Sequence, residues 1–314
     1  MNRKPGNIRN NYGLQLIRKR ILPGWQLYVL LLPTLIYYGV FHYWPMYGVQ
    51  LAFKEFIAAK GIMGSPWVGL INYKRFFSSY QVYELFRNTI VLSVTQLFLT
   101  FPIPIILAIM INMVASKHIK KFIQTVVFLP HFITVVVVVG ILFVALSPVS
   151  GIVNMLIRNA GGTPIHFMGK AEWFRPLYIG TTVWQHSGWS CIIYLGALTT
   201  INPELYEAAT VDGAGSLQRI IYIDIPSILP TATIMLILNA GTIMSIGFEK
   251  AFLMQTPLNI DTSEIISTYV YKMGLLNAQY CYSTAIGLLN NAINLALVLI
   301  VNQICRKLGE TSVF

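Results

Sequence analysis

Six long stretches of this chain, each of 24 residues or more, carry no Asp, Glu, Lys or Arg: 21–53, 88–116, 122–157, 176–203, 225–248 and 273–305. A helix needs ~20 apolar residues to cross ~30 Å of hydrocarbon. Each window is therefore long enough for one crossing and too short for two with a loop. The predicted helices lie near 25–44, 89–112, 123–147, 177–200, 226–248 and 283–304. Barrel strands would instead alternate apolar and polar side chains over ~10 residues, and the run Val135-Val136-Val137-Val138-Val139 does not alternate. Only backbone that satisfies its own hydrogen bonds survives in lipid. The expected fold is thus all-α and integral to the membrane, with six transmembrane helices. Composition agrees. The chain is 55% hydrophobic and 11% charged, with mean hydropathy +0.64, whereas soluble domains are about 25% charged. That excludes an ordinary cytosolic enzyme, a secreted disulfide scaffold and a disordered protein. Cys191, Cys281 and Cys305 form no CxxC and no metal-binding spacing, and read as packing residues.

Basic residues set the orientation. Arg3, Lys4, Arg9, Arg18, Lys19 and Arg20 precede the first helix, and Lys117, Lys120 and Lys121 fill the short second connection. With both termini cytoplasmic, 12 of the 22 basic residues lie inside, in much the shorter total length. The net charge of +11 then reads as anchoring against anionic lipid rather than as a nucleic-acid surface. The extracytoplasmic connections are expected over 45–88, 148–176 and 249–282. Trp25, Tyr43, Trp44 and Tyr47 fall where interfacial aromatics belong. Residues 2–11 read as a mobile polar tail. No short apolar region with a small-residue cleavage site follows the basic start, so the first helix is expected to be retained.

One connection breaks the charge rule. The predicted cytoplasmic segment 201–224 carries Glu204, Glu207, Asp212 and Asp224 against a single Arg219. Asn202 is a good N-cap and Pro203 suits the first helical position. Glu204 in the first turn favours the helix dipole. A short helix is predicted over 203–211, ended by Asp212-Gly213 with Gly213 free to take positive φ. A second short helix is predicted from about Ala214 to Asp224, with an apolar stripe of Leu217, Ile220, Ile221 and Ile225, and Pro226 opens the next span. Two short helices around a glycine corner could present a knob to a partner; spacing alone is equally compatible with a solvated, capped loop.

The stretch Glu207-Ala208-Ala209, three residues, Gly213, nine residues, Ile223, one residue, Ile225-Pro226 resembles the EAA loop of binding-protein-dependent ABC importer permeases. Only Ile225 departs from the pattern, standing where Leu is usual. Asp212-Gly213-Ala214 matches the common form of the corner, and two spans follow the loop, as in that family. The resemblance covers about 88–304. Residues 25–28 and 45–49 look like the carbohydrate-importing branch, which handles oligosaccharides or polysaccharide fragments. The resemblance implies the type I importer permease fold and four regions. These are a basic cytoplasmic segment 1–24, a first helix with a long outer loop 25–87, a permease core 88–304 with its coupling loop 201–226, and a cytoplasmic tail 305–314. It implies that Glu207 pairs with a basic residue of a separate ATPase, that Ala208 and Ala209 allow close approach, and that Gly213 sets the corner beside Asp212 and Ala214. Ile223 and Pro226 would complete the motif. The implied partners are a second, non-identical permease, an ATPase dimer holding ATP and Mg, an extracytoplasmic solute-binding protein and a sugar. The implied location is the bacterial cytoplasmic (inner) membrane. This chain would bind no cofactor, no metal and no nucleic acid, and would catalyse nothing.

The residues support that division of labour. There is no G-x-x-x-x-G-K-[ST] loop to cradle phosphates, since Gly169-Lys170 is followed by Ala171. HExxH, GxSxG and GxGxxG are also missing. Polar side chains inside spans mark pathways or helix contacts. Trp184, Gln185, His186 and Trp189 in the fourth span, Asn239, Thr242 and Ser245 in the fifth, and Asn290, Asn291 and Asn294 in the sixth suit sugar recognition by amide hydrogen bonds and ring stacking. Each could equally bond a neighbouring helix. The alternative is an ion-coupled secondary transporter of a small polar solute, which would need intramembrane carboxylates or inverted repeats with broken helices; all 11 acidic residues fall outside the six windows. A membrane scaffold would leave the acidic loop without a role.

Overall fold

The structure is a computed structural model describing residues 25–307. The basic segment 1–24, with its expected mobile tail, and the last seven residues lie outside the described residues. Among the described residues the regular structure is helical, apart from one isolated bridge between Lys54 and Trp67. Twelve helices carry the fold. They are α1 Trp25–Phe53, α2 Ile71–Phe77, α3 Val82–Asn112, α4 Lys117–Phe132, α5 Val135–Ala145 and α6 Ile152–Asn159. After them come α7 Ala171–Thr199, α8 Pro203–Val211, α9 Ser216–Ala240, α10 Phe248–Met254, α11 Ile266–Tyr271 and α12 Tyr280–Lys307. Four of these, α1, α3, α9 and α12, are long and apolar enough to cross a membrane, and α4 with α5 makes a fifth if the pair is one broken span.

The expected straight helix over 123–147 is instead bent by 93° between α4 and α5. Pro130 tightens the end of α4 into a 3-10 turn, Ile133 is extended, and the Thr134 hydroxyl caps α5 by accepting from the Val137 N–H at 3.4 Å. The carbonyl of Ile133, freed by the break, accepts from Gln185 Nε2 at 2.6 Å. A broken helix at membrane depth is tolerated when protein satisfies its backbone in this way.

The predicted fourth span exists as α7, with 29 residues, but it is not among the apolar four. Its middle, Thr181-Thr182-Val183-Trp184-Gln185-His186-Ser187-Gly188-Trp189-Ser190, is polar. It is also the most enclosed long helix, with Phe174, Tyr178, Ile179, Cys191, Tyr194, Leu195 and Leu198 buried. Around its N-terminal half gather Leu92, Val139, Phe167, Met168, Ile246 and Met254, and around its C-terminal half Ala108, Ile111, Ile228 and Ala232. Lipid tails compete for apolar contact, so close packing of small residues carries the association. Gly188 shows this: a Cβ there would collide with the Val127 carbonyl of α4.

The fifth span ends at Ala240, not near 248, and irregular chain follows to Gly247. That break is braced by α12. Met244 N–H donates to Asn294 Oδ1 at 2.9 Å, Asn290 Nδ2 donates to the Met244 carbonyl at 3.2 Å, and Asn294 Nδ2 donates to Ser245 Oγ at 2.8 Å. Two buried asparagines tie the connections beyond the spans. Asn154 donates to the carbonyls of Leu146, Ser147 and Ile165 and accepts from Ile165 N–H, and Asn259 donates to those of Met168 and Met254. The side chains of α1 are exposed from Trp25 to Tyr43, and only its last turns, Trp44–Phe53, meet α12.

Candidate functional site

The acidic connection forms a capped, exposed elbow. Asn202 Oδ1 accepts from Glu204 N–H at 3.1 Å, which starts α8 as its sequence predicts. Asp212 closes the helix, and Gly213 turns the chain at φ +76. No atom lies within 4 Å of a Cβ built on Gly213, so its requirement is conformational rather than spatial. The corner is sealed by Gly213 N–H to Thr210 O at 3.1 Å and Ala214 N–H to Ala209 O at 2.8 Å, a Schellman pattern.

The second half of the elbow differs from expectation. No separate short helix ends at Asp224. Instead α9 starts at Ser216 and runs unbroken through Pro226 to Ala240. Pro226 has no N–H to give, and the helix widens to a π turn over Ile220–Asp224 instead of stopping. Glu207, Ala208 and Asp212 are exposed, Ala209, Ala214 and Ile223 are half-buried, and Pro226 is exposed. Glu207 forms no ion pair among the described residues. The elbow therefore offers an unpaired carboxylate beside two small residues.

One acidic residue of this loop is not on show. Asp224 is 3% exposed and accepts from the hydroxyl of Tyr206 on α8. Burial, reinforced by the hydrogen bond to Asp224 and its charge, pushes the Tyr206 hydroxyl above its usual ionisation range, with Asn112 opposing. Sequence reading counted Asp224 with the solvent-facing charges because nothing local pairs it with Tyr206, eighteen residues earlier.

Within the membrane-spanning layer the predicted path residues separate into groups. Gln185 is buried and spent on the break at Ile133. His186 and His131 face each other with Nδ1 atoms 3.3 Å apart, and Trp189 stacks on His131 at 4.5 Å with rings 7° from parallel. Trp184 and Trp189 keep 52% and 46% of their surface exposed. Asn290 is buried as a brace, whereas Asn291 is exposed. Asn239 is exposed and, with Ser93, Gln96, Thr100, Thr242 and Ser245, lines a polar cleft of about 220 Å³ between α3 and the break after α9.

The structure adds a residue that the windows placed in an outer loop. Lys250, on α10, is 5% exposed and sits against the middle of α7. Its Nζ donates to Thr182 Oγ1 at 2.9 Å and lies 5.3 Å from the Tyr178 ring centroid. It forms no ion pair among the described residues. Only the break after α9 brings it there, and no sequence signal marks that break beyond Gly241 and Gly247.

This architecture is shared with known proteins. Residues 100–309 match the family described as binding-protein-dependent transport system inner membrane component. The chain is 42% identical over 288 residues to the polygalacturonan/rhamnogalacturonan transport system permease protein YteP of Bacillus subtilis (strain 168), covering 92% of this chain and 90% of that one. A chain of a bacterial ABC transporter that imports the acidic polysaccharide alginate superposes with TM-score 0.86 at 41% identity, over 93% of this chain and 98% of that one. A chain of the bacterial alginate transporter in complex with its alginate pentasaccharide-bound periplasmic protein superposes with TM-score 0.87, also at 41% identity, over 95% of this chain and all of the other. With its family match, its full-length relative and its shared fold, this multi-pass membrane protein belongs to the binding-protein-dependent transport system inner membrane components, the permease subunits of ABC importers.

Proposed function

We propose that the chain forms half of the translocation path of an ATP-driven importer for an oligosaccharide bearing carboxylates. The carrying observation is the exposed elbow at Glu207, a capped helix that presents this outward carboxylate without an ion pair among the described residues. A carboxylate partly desolvated against a cation binds more strongly than one left in water. Glu207, Ala208, Ala209, Asp212, Gly213 and Ala214 form the face that docks on a separate ATPase holding ATP and Mg, while Ile223 and Pro226 root it in α9. Six segments cross the cytoplasmic (inner) membrane: α1, α3, the broken α4–α5 pair, α7, α9 and α12. Both termini and α8 are cytoplasmic, and a solute-binding protein docks on the opposite face. One such subunit encloses only part of a cavity, so a second, non-identical permease completes it.

For the substrate, the relatives handle polymers of acidic sugars, and Lys250 supplies a buried amine, a cation when protonated, that no carboxylate pairs among the described residues. Such a cation costs several kcal/mol to bury, and a passing carboxylate would offset it. The exposed Trp184, Trp189, Asn239 and Asn291 offer stacking and amide groups to the sugar, and His186 and the buried Gln185 and Asn290 hold the frame around them. Against an ion-coupled carrier, the broken α4–α5 pair comes without an acidic residue in any of the six windows, and the family works with a binding protein.

The test is purification of the tagged, solubilised chain from its native host. The wild type is expected to bring down an ATPase and a second permease, and Glu207→Lys to lose the ATPase while keeping the permease. Import of an oligogalacturonide by the wild type but not of its methyl-esterified form would support the acidic substrate. Retention of the ATPase by Glu207→Lys would overturn the docking role.

A further inference from the structure

Helix α8 is joined to α9 at two places. The first is the corner, where Gly213 has open space around it and positive φ. The backbone bonds at Gly213 and Ala214 hold it, and Arg219 Nε donates to the Ala214 carbonyl at 3.1 Å. The second is the hydrogen bond from Tyr206 to the buried Asp224, with the Asn112 side chain at the end of α3 also hydrogen-bonded to the Tyr206 hydroxyl. A helix held only at a glycine corner can swing about it. A helix held at two points cannot, because both anchor points must move together. Tyr206 is next to Glu207 in sequence but half-buried where Glu207 is exposed, so one turn of α8 meets solvent and the base of α9 at once.

The second joint is expensive by itself. Asp224 is an acid in a largely buried setting, and no Lys or Arg makes an ion pair with it among the described residues. A carboxylate taken out of water without a cation needs strong donors to hold it. Merely closing a loop would not require one, since the corner already does that. From Asp224, α9 continues fifteen residues to Asn239 at the polar cleft, about 22 Å at the helical rise of ~1.5 Å per residue.

We propose that Tyr206 and Asp224 are positioning residues of the coupling step: their hydrogen bond makes α8 and α9 a single lever, so displacement at Glu207 reaches the cleft instead of being absorbed at Gly213. This rests on the transport reading above. Neither residue touches substrate.

The experiment uses the whole importer, with both permeases, the ATPase and the binding protein, in proteoliposomes. ATP hydrolysed and oligosaccharide accumulated are measured in the same sample. Tyr206→Phe is expected to retain the ATPase on co-purification and to hydrolyse ATP within about twofold of wild type. It should import about tenfold less per ATP, in keeping with the loss of a hydrogen bond to a charged acceptor. Asp224→Leu should behave alike, the double substitution should be no worse than either single one, and Asp224→Asn, whose amide oxygen still accepts, should recover most of the ratio. An unchanged import per ATP in Tyr206→Phe overturns the inference, as does a loss matched by loss of the ATPase. If Tyr206→Phe fails to assemble, the pair Tyr206→Cys and Asp224→Cys bridged by a cleavable bifunctional reagent replaces the bond. Import per ATP should rise on bridging and fall on cleavage, and no change overturns the inference. A wild-type chain that retains no ATPase fails the transport reading and takes this inference with it; coupled wild type with an indifferent Tyr206→Phe fails this inference alone.

Discussion

Single side chains divide here into those that hold the frame and those left with something to give. Asn154 is fully buried and serves four backbone groups. Asn154→Ala orphans them, and each buried unsatisfied group costs about 1–3 kcal/mol. We expect a thermal midpoint in detergent lowered by several degrees, read by the loss of monodisperse protein on heating. Lys250 is the opposite case, because it has one hydrogen bond, to Thr182, and no ion pair to lose among the described residues. Replacing even a buried ion pair by apolar residues of like volume is often neutral or stabilising by about 1–4 kcal/mol, and an ammonium without a counter-charge has no ion-pair attraction to give up. Lys250→Met is therefore expected to keep or raise the midpoint while slowing import of a uronate oligosaccharide at least severalfold. A lowered midpoint would show that Lys250 is structural. Gly213→Ala must adopt left-handed backbone at a cost of about 1–2 kcal/mol. With open space around its Cβ, it should assemble and weaken ATPase retention modestly, while Gly213→Val should weaken it further.

At the scale of helices, breaks matter as much as spans. The windows between charges located every long helix, because lipid imposes length and apolarity directly on sequence. The capped start of α8 was legible for a similar reason: Asn202-Pro203 acts through neighbours in the chain. The breaks were not legible. Pro130 and Thr134 are visible in the sequence, yet a 93° turn needs Gln185, far along the chain, to satisfy the freed carbonyl. Pro226 looked like a helix start and proved to be an interior residue accommodated by a π turn. The end of α9 at Ala240, and with it the burial of Lys250, depends on Asn290 and Asn294 of α12. Of the two roles its sequence position allows, lining the path or bonding a neighbouring segment, Asn290 makes the second contact, donating to the Met244 carbonyl. The α4–α7 seam gives a prediction of its own. A Cβ at Gly188 meets backbone, which cannot rotate away. Gly188→Ala should force the helices apart and cost about 1–3 kcal/mol by overpacking, read as a lower midpoint, whereas Gly180→Ala, with nothing within 4 Å, should change little.

For the molecule as a whole, with α7 as one of the six crossings proposed above, its polar centre has a consequence for biosynthesis. A membrane-spanning segment enters the bilayer unaided when its residues gain enough on leaving water, and Gln, His and Ser at the centre work against that. The stretch from Thr181 to Ser190 is such a centre. Fused alone into a reporter for translocon insertion, residues 171–199 should integrate poorly, and integration should rise when the segments before them are present to shelter those groups. The ribosome must then deliver α3, α4 and α5 first and the translocon must keep them near, so the order of helices along the gene doubles as an order of assembly.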